Sequence, residues 1–273
     1  MVTDIIQIAD LHITNNVTEF QEKEKFFLKT LLKETKNMNH ETMRIVIVGD
    51  IFEGKVKASN EAKAEFHKIL NILDSICPVI IVAGNHDMLQ GNKSKLDSIA
   101  PTFEIAGAYD NITYLDKKLE YKSGCVFDDN IIWALYSMHD NFARPDIESM
   151  KKKHPKAVVV GLYHGAVPGA TTDVGFMHDS GLPGEAFEGC DCVMAGHIHK
   201  RQEIRKEGIP LVYSGSVFQK DFGENTTGHG FEVWNVETLE HKHVEVDNPF
   251  KMYKFRIEGY DDVKEDKEML LNL

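Results

Sequence analysis

The sequence predicts an α/β fold built on a parallel sheet. Three observations predict it. Short apolar runs alternate with amphipathic helical stretches from Asp4 to Ala83. The runs are rich in Ile and Val, which marks strands buried on both faces. Each run ends in a sharp turn carrying Asp, Asn or His, and open α/β sheets place their ligands at those carboxyl ends.

Asp4 to Ala9 predicts the first strand, followed at once by Asp10-Leu11-His12. Thr18 to Lys36 carries a helical stripe of Phe20, Phe27, Leu28, Leu31 and Leu32, with Thr18 as N-cap and Gln21 completing a capping box. Arg44 to Val48 predicts a second strand ending in Gly49-Asp50. Ser59 to Ser75 predicts a helix with Phe66, Ile69, Leu70 and Leu73 on one face. Pro78 to Ala83 predicts the third strand, and the turn after it reads Gly84-Asn85-His86-Asp87. This β-α-β-α-β order favours parallel pairing with right-handed crossovers.

The middle is less regular. Asn111 to Leu115, Leu119 to Lys122 and Ile131 to Leu135 predict short strands, and Asp140 to Lys153 a helix. Ala157 to Leu162 predicts a buried strand leading to His164, and Gly165 to Gly184 a loop. Cys192 to Ala195 predicts a strand ending in Gly196-His197-Ile198-His199. Gln202 to Arg205, Pro210 to Tyr213, Gly230 to Val236 and His241 to Val246 follow as strands. Residues 1–250 are expected to form one domain, with 251–273 a charged extension that turns helical towards its end.

Composition narrows the function classes. The formal net charge of −12 argues against a generally basic, nucleic-acid-coating surface. It leaves room for nucleic acid at one local site loaded with divalent cations. No apolar run approaches the roughly 20 residues that span a bilayer, and no membrane partner is expected. No signal peptide is visible in MVTDIIQIAD. Cys77, Cys125, Cys190 and Cys192 form no C-x-x-C pair, which fits reduced thiols in a cytoplasmic compartment.

Five places share one pattern, a buried strand followed by a turn with metal-capable side chains. They supply Asp10, His12, Asp50, Asn85, His164, His197 and His199, with His86 in addition. Taken singly, each has a plain structural reading: a histidine at a strand end is usually a satisfied polar residue, and Asp50 could cap its turn. Taken together, behind five strands, they predict a metal centre. Imidazoles and carboxylates without thiolates suit Mn, Fe, Zn or Mg. Seven ligands exceed one tetrahedral site and suit two ions with a shared carboxylate. Asp50 is the expected bridge, with Asp10, His12 and His199 on one ion and Asn85, His164 and His197 on the other. Such a pair polarises a phosphoryl group and lowers the pKa of water between the ions.

The motifs DLH, GD, GNHD, YHG and GHIH, from Asp10 to His199, resemble the signature of the calcineurin-like metallophosphoesterase superfamily. The resemblance implies a two-sheet β-sandwich flanked by helices, a four-layer α/β/β/α fold. It implies the same seven residues as ligands of two divalent ions, His86 as the catalytic histidine beside the scissile phosphate, and Asp87 as a residue that orients the turn. Three further stretches, GDIFEGK, CDCVMAGHIHKRQEI and IPLVYSGSVFQKDFGENTTGHGFEVWNV, resemble the SbcD-type DNA repair exonucleases and their archaeal and eukaryotic counterparts.

That branch implies a manganese-favouring DNA nuclease of repair and recombination. It would be an exonuclease on double-stranded ends and an endonuclease on single strands. A homodimer, an SbcC-type coiled-coil ATPase partner and a cytoplasmic or nucleoid-associated location, or the host cytoplasm for a viral chain, are implied with it. Lys55, Lys57, Lys200 and Lys220 are the expected DNA contacts. Two departures stand out. Archaeal members carry a second histidine shortly after G-D, where this chain has Glu53. The nucleases also continue into a capping module, which the extension from 251 is expected to begin or to lack. The competing readings are a phosphodiesterase or phosphatase on a small-molecule or protein substrate, and a non-catalytic scaffold for the ATPase.

Overall fold

The computed structural model describes residues 1–55, 57–89, 95–104, 109–206 and 208–254. The helical end expected within 255–273 lies outside the described residues.

Two six-stranded sheets pack face to face. In the first, β1 (Asp4–Ile8), β2 (Met43–Val48), β3 (Val79–Val82) and β4 (Ile112–Tyr114) run parallel. In the second, β5 (Gly124–Asp128) pairs antiparallel with β6 (Ile131–Tyr136), which continues in parallel through β7 (Val158–His164) and β8 (Cys192–Gly196). The hairpin of β9 (Gln202–Lys206) and β10 (Ile209–Tyr213) completes it, giving the order β5-β6-β7-β8-β10-β9. The chain then returns to the first sheet through β11 (Gly230–Asn235) and β12 (His241–Glu245), for an order of β12-β11-β1-β2-β3-β4. β11 lies antiparallel to β1, with Ile5 opposite Trp234.

The side-chain period of two sets the layers. Ile6, Ile8, Ile45 and Ile47 face two helices, α1 (Val17–Thr35) and α2 (Asn60–Asp74), through Phe20, Phe27, Leu31, Phe66 and Ile69. Their neighbours Ile5, Val46 and Val48 face the second sheet, against Trp133, Leu135, Val160 and Leu162. The outer face of that sheet is covered through Ile132 and Val159 by Ile147 of α4 (Ile147–Lys153) and by Phe187. A four-residue helix, α3 (Leu115–Lys118), follows β4 directly. This is the four-layer sandwich expected. Each fully buried Ile, Leu or Phe contributes about 1.5–3 kcal/mol.

One polar residue stitches the sheets together. Gln7 on β1 is fully buried; its Nε2 donates to Ala195 O (3.1 Å) and Val212 O (2.8 Å), and its Oε1 accepts from Trp234 Nε1 (2.9 Å). A buried amide costs free energy unless it is satisfied, so this network fixes how the sheets dock.

Three local expectations are corrected. Helix α1 starts after Asn16, so Thr18 lies inside it, and Gln21 reaches Glu65 on α2 (2.7 Å) rather than closing a capping box. Tertiary pairing of two helices outweighs the local cap motif. Leu119 to Lys122 is a turn with left-handed Glu120 and Tyr121 (φ 53° and 60°), and the strand comes later as β5. Of Asp140 to Lys153, only Ile147–Lys153 is α-helical. Pro145 disfavours helix at Arg144, and Asp146 starts a new one by accepting the Ser149 N–H (3.0 Å). Helix α2 is capped by Ser59, whose Oγ accepts the Ala62 N–H (3.1 Å).

The α1–α2 seam holds a carboxyl pair. Glu24 is 3% exposed. Burial raises its pKa and the neighbouring Glu65 raises it further, from 4.5 to about 8. The folded chain therefore keeps a proton that the unfolded chain releases, and the stability linked to it falls as pH rises from about 4.5 to about 8. Glu24→Gln is expected to flatten that slope and to raise the melting temperature by several degrees above pH 8. Thermal melts of both proteins from pH 5 to 9 check this; parallel curves would exclude it.

Candidate metal centre

β1, β2 and β3 of one sheet and β7 and β8 of the other end at a common rim. The turns after them are tied together through the backbone. Asp10 N–H donates to Gly49 O (3.1 Å) and His12 N–H to Asp50 O (3.0 Å). Across the sheets, His197 N–H donates to both Asp10 carboxylate oxygens (3.1 and 3.0 Å), and His164 Nδ1–H donates to Val48 O (2.8 Å). All seven predicted ligands and His86 converge there, drawn from both sheets.

The approach is close enough to dictate residue type. Asp10, His12, Asp50 and His197 have left-handed backbones (φ 53°, 47°, 50° and 92°). Each such residue stores about 1–3 kcal/mol of strain that the surrounding structure must offset. At Gly84 a Cβ would sit 2.2 Å from Asp50 Oδ1, and at Gly49 (φ 76°) 2.3 Å from His164 Nδ1. Only glycine lets these turns meet.

Among the described residues, three clusters bring ligand atoms within 4.8 Å of one another and could hold metal ions: Asp10, His12 and His199; Asp50, His164 and His197; and His12, Asp50 and His86. Asp50 belongs to two of them. Its Oδ1 lies 3.2 Å from His164 Nε2 and its Oδ2 3.8 Å from His12 Nε2. Asn85 Oδ1 lies 2.7 Å from His197 Nδ1 and 3.3 Å from His164 Nε2.

The tautomers support the fit to cations. His199 Nδ1–H donates to Glu224 Oε1 (2.6 Å), and His12 Nδ1 lies 3.0 Å from Glu53 Oε2. With Nδ1 protonated on both rings, the two Nε2 atoms face each other at 3.0 Å with lone pairs, which a shared cation would relieve. Burial and the charges around the rim set the protonation of its groups. Burial works against a charged His164, but the Asp50 carboxylate outweighs it and holds the imidazole up at about 9. Burial, aided by the His164 charge, drives His197 down to about 3. Burial likewise lowers His12. Burial opposes the Asp50 charge, yet His164 and His12 keep it far below the usual carboxylate range.

His86 is set apart by its hydrogen bonds. Its Nδ1–H donates to Glu53 O (2.6 Å) and its ring stands edge-on to His12 at 4.9 Å. Its backbone N–H donates to Asp50 Oδ1 (2.8 Å). Asp87 is fully buried and accepts from Ile51, Phe52 and Gly84 N–H groups (2.9–3.0 Å), clamping the β3 turn on the β2 turn.

Two carboxylates contact the rim histidines: Glu53, which the sequence marked only as a departure from the archaeal pattern, and Glu224, which sequence reasoning missed. Glu53 also meets Lys220 Nζ at 2.8 Å, so this lysine, expected to face DNA, is engaged in an ion pair. Glu224 accepts from His199 and also from Lys220 N–H (2.8 Å). It sits in the stretch DFGE, which carried a resemblance but showed no strand-and-turn pattern. Carboxylate partners of metal-binding histidines are typically worth 10- to 100-fold in affinity or activity. Glu224→Ala is expected to weaken metal binding by about that factor with the fold intact. Calorimetric metal titration checks this, and unchanged affinity would make Glu224 a purely structural contact.

Comparison with known proteins fits this geometry. Residues 4–235 match the calcineurin-like phosphoesterase superfamily domain, and the chain belongs to that superfamily. An uncharacterized protein of Acanthamoeba polyphaga mimivirus is 31% identical over 256 residues. That match covers 90% of this chain and 18% of the viral protein, so the chain spans under a fifth of its curated relative. Among solved structures, a hypothetical protein from Pyrococcus horikoshii OT3 covers 100% of this chain and 94% of its own (16% identity, TM-score 0.42). A putative 5'-nucleotidase from Staphylococcus aureus covers 98% of this chain and 58% of its own (13% identity, TM-score 0.46). Among the described residues, no helix is long and apolar enough to cross a membrane.

Proposed function

We propose that the chain is a two-metal DNA nuclease, hydrolysing phosphodiester bonds at the rim between the sheets. One observation carries the DNA reading. The stretch from Ile209 to Val236, which resembles the DNA repair exonucleases, forms part of the wall of the centre through Lys220 and Glu224. The segment that carries this resemblance thus touches the chemistry rather than a remote surface. The homodimer and the coiled-coil ATPase belong to the same proposal.

Asp10, His12 and His199 would hold one ion, Asn85, His164 and His197 the other, and Asp50 both. When bound, such ions act as Lewis acids on the phosphoryl oxygens and lower the pKa of water, and manganese suits this imidazole and carboxylate set. The side chains supply the rest. Glu53 and Glu224 fix the ring orientation of His12 and His199. Glu53 O fixes His86, which leaves Nε2 to act at the phosphate or the leaving oxygen. Protonated, Nε2 donates to the departing oxygen; neutral, it accepts a proton.

The net charge of −12 favours a second reading, hydrolysis of a small-molecule or protein phosphoester, since it does not attract a polyanion. Incubation with linear duplex DNA, single-stranded DNA, a cyclic nucleotide and a phosphoprotein in manganese separates the two. Cleavage of DNA is expected. Turnover of the cyclic nucleotide or phosphoprotein with DNA left intact would replace the nuclease reading.

A further inference from the structure

The loop between β7 and β8 exposes large apolar side chains beside the metal centre. Val174, Phe176 and Met177 are 70%, 59% and 63% exposed, and Phe222 on the facing loop is 58% exposed. Among the described residues, only Met1 among large hydrophobics is as open. Single exposed apolar residues are ordinary, but four on two adjoining loops mark a contact surface. Val174 and Phe176 line a cavity of about 410 Å³ that shares His197 and His199 with the metal rim. Phe222 lies between two residues of its wall, Asp221 and Gly223.

The loop is braced rather than loose. Thr172 N–H donates to Phe176 O (2.8 Å), and His178 N–H to Ala170 O (2.8 Å). Gln202 binds Thr171 through both ends of its amide (2.9 and 2.7 Å). Asn225, just past Glu224, binds both oxygens of Asp173 (2.7 and 3.2 Å), locking the two loops together. Aromatic surface held this way costs little ordering on binding. Lys200 lines the same cavity and adds a cation.

Resting on the nuclease reading, we propose that this cavity is a base-stacking subsite in which Phe176 receives the nucleobase flanking the scissile phosphate. The occupant must belong to the molecule whose phosphate sits at His197 and His199, because the cavity wall includes those rings. A flat base suits an aromatic wall, and stacking tolerates any of the four bases. The carboxylates of the wall are already engaged, Asp173 by Asn225, Asp221 by the Gly223 N–H and Glu224 by His199, so the subsite would read ring area rather than base identity.

The test uses single-stranded oligonucleotides with one cleavable linkage, flanked on either side by a normal nucleotide or by an abasic tetrahydrofuran unit. Parent, Phe176→Ala and Phe176→Tyr are compared in manganese, with bis-p-nitrophenyl phosphate hydrolysis as a measure of the centre itself. Phe176→Ala is expected to raise KM on the base-bearing strand on the order of 10-fold, and Phe176→Tyr to restore it. Removing the base should weaken the parent to the same degree and leave Phe176→Ala without further loss. Equal KM for all three proteins, or an undiminished effect of Phe176→Ala on the abasic strand, would overturn the subsite while leaving the nuclease reading standing. Parent protein that hydrolyses bis-p-nitrophenyl phosphate but no oligonucleotide would overturn both.

Discussion

Asp50→Asn is expected to empty the centre and to lower kcat by at least about 10³-fold. The substitution keeps the size of the side chain and an oxygen for the His86 N–H, but it removes the charge. Asp50, like His12, belongs to two of the three ligand clusters found among the described residues, and it is the carboxylate that does so. Its carboxylate holds His164 up and itself stays ionised beside His164 and His12. A neutral amide cannot balance two cations a few ångströms apart. Removing one group that stabilises transition-state charge typically costs about 10²–10³-fold, and a shared ligand serves both ions. Metal analysis of the purified proteins gives the direct readout. Asn85→Ala, placed at one ion alone, should keep about half the metal of the parent. Parent-like metal content in Asp50→Asn would reject the shared carboxylate.

His86→Ala is expected to separate chemistry from binding. Metal content and substrate affinity should stay at the parent's level, while kcat falls about 10²- to 10⁴-fold. The ring's Nδ1–H is committed to Glu53 O, and the bond from its backbone N–H to Asp50 survives the substitution. The geometry also supplies the competing outcome. His86 clusters with His12 and Asp50 closely enough to be a ligand. Loss of one ion in His86→Ala would move it into the ligand set. A fall in kcat with KM unchanged and metal retained would place it on the reacting phosphate.

The metal rim was legible because its rule is local. A buried strand forces its ends to the sheet's edge, so polar residues in the next turn are positioned by the pattern itself. Asp10, Asp50, Asn85, His164 and His197 all follow it. Their pairing across two sheets was not legible from periodicity. Strands read alike in either sheet, and only the superfamily resemblance implied the sandwich. Glu224, and the contact that Glu53 makes with His12, escaped for another reason. Nothing in DIFEG or DFGEN marks a residue that packs on a histidine far away in sequence. The errors at Thr18, Leu119 to Lys122 and Asp140 to Lys153 share one cause, a local signal overridden by a neighbouring helix, a left-handed turn or a proline.

The return of the chain to its first sheet orders events during synthesis. Ribosomes release Asp10, His12, Asp50, Asn85 and His86 early, but β1 then lacks its neighbour β11, which comes with residues 230–235. His164, His197 and His199 arrive between those two moments, and Glu224 only just before β11. A nascent chain therefore carries the aspartates and the histidines of the early turns without the wall that aligns them. The wall that aligns these turns is complete only once β11 has paired with β1.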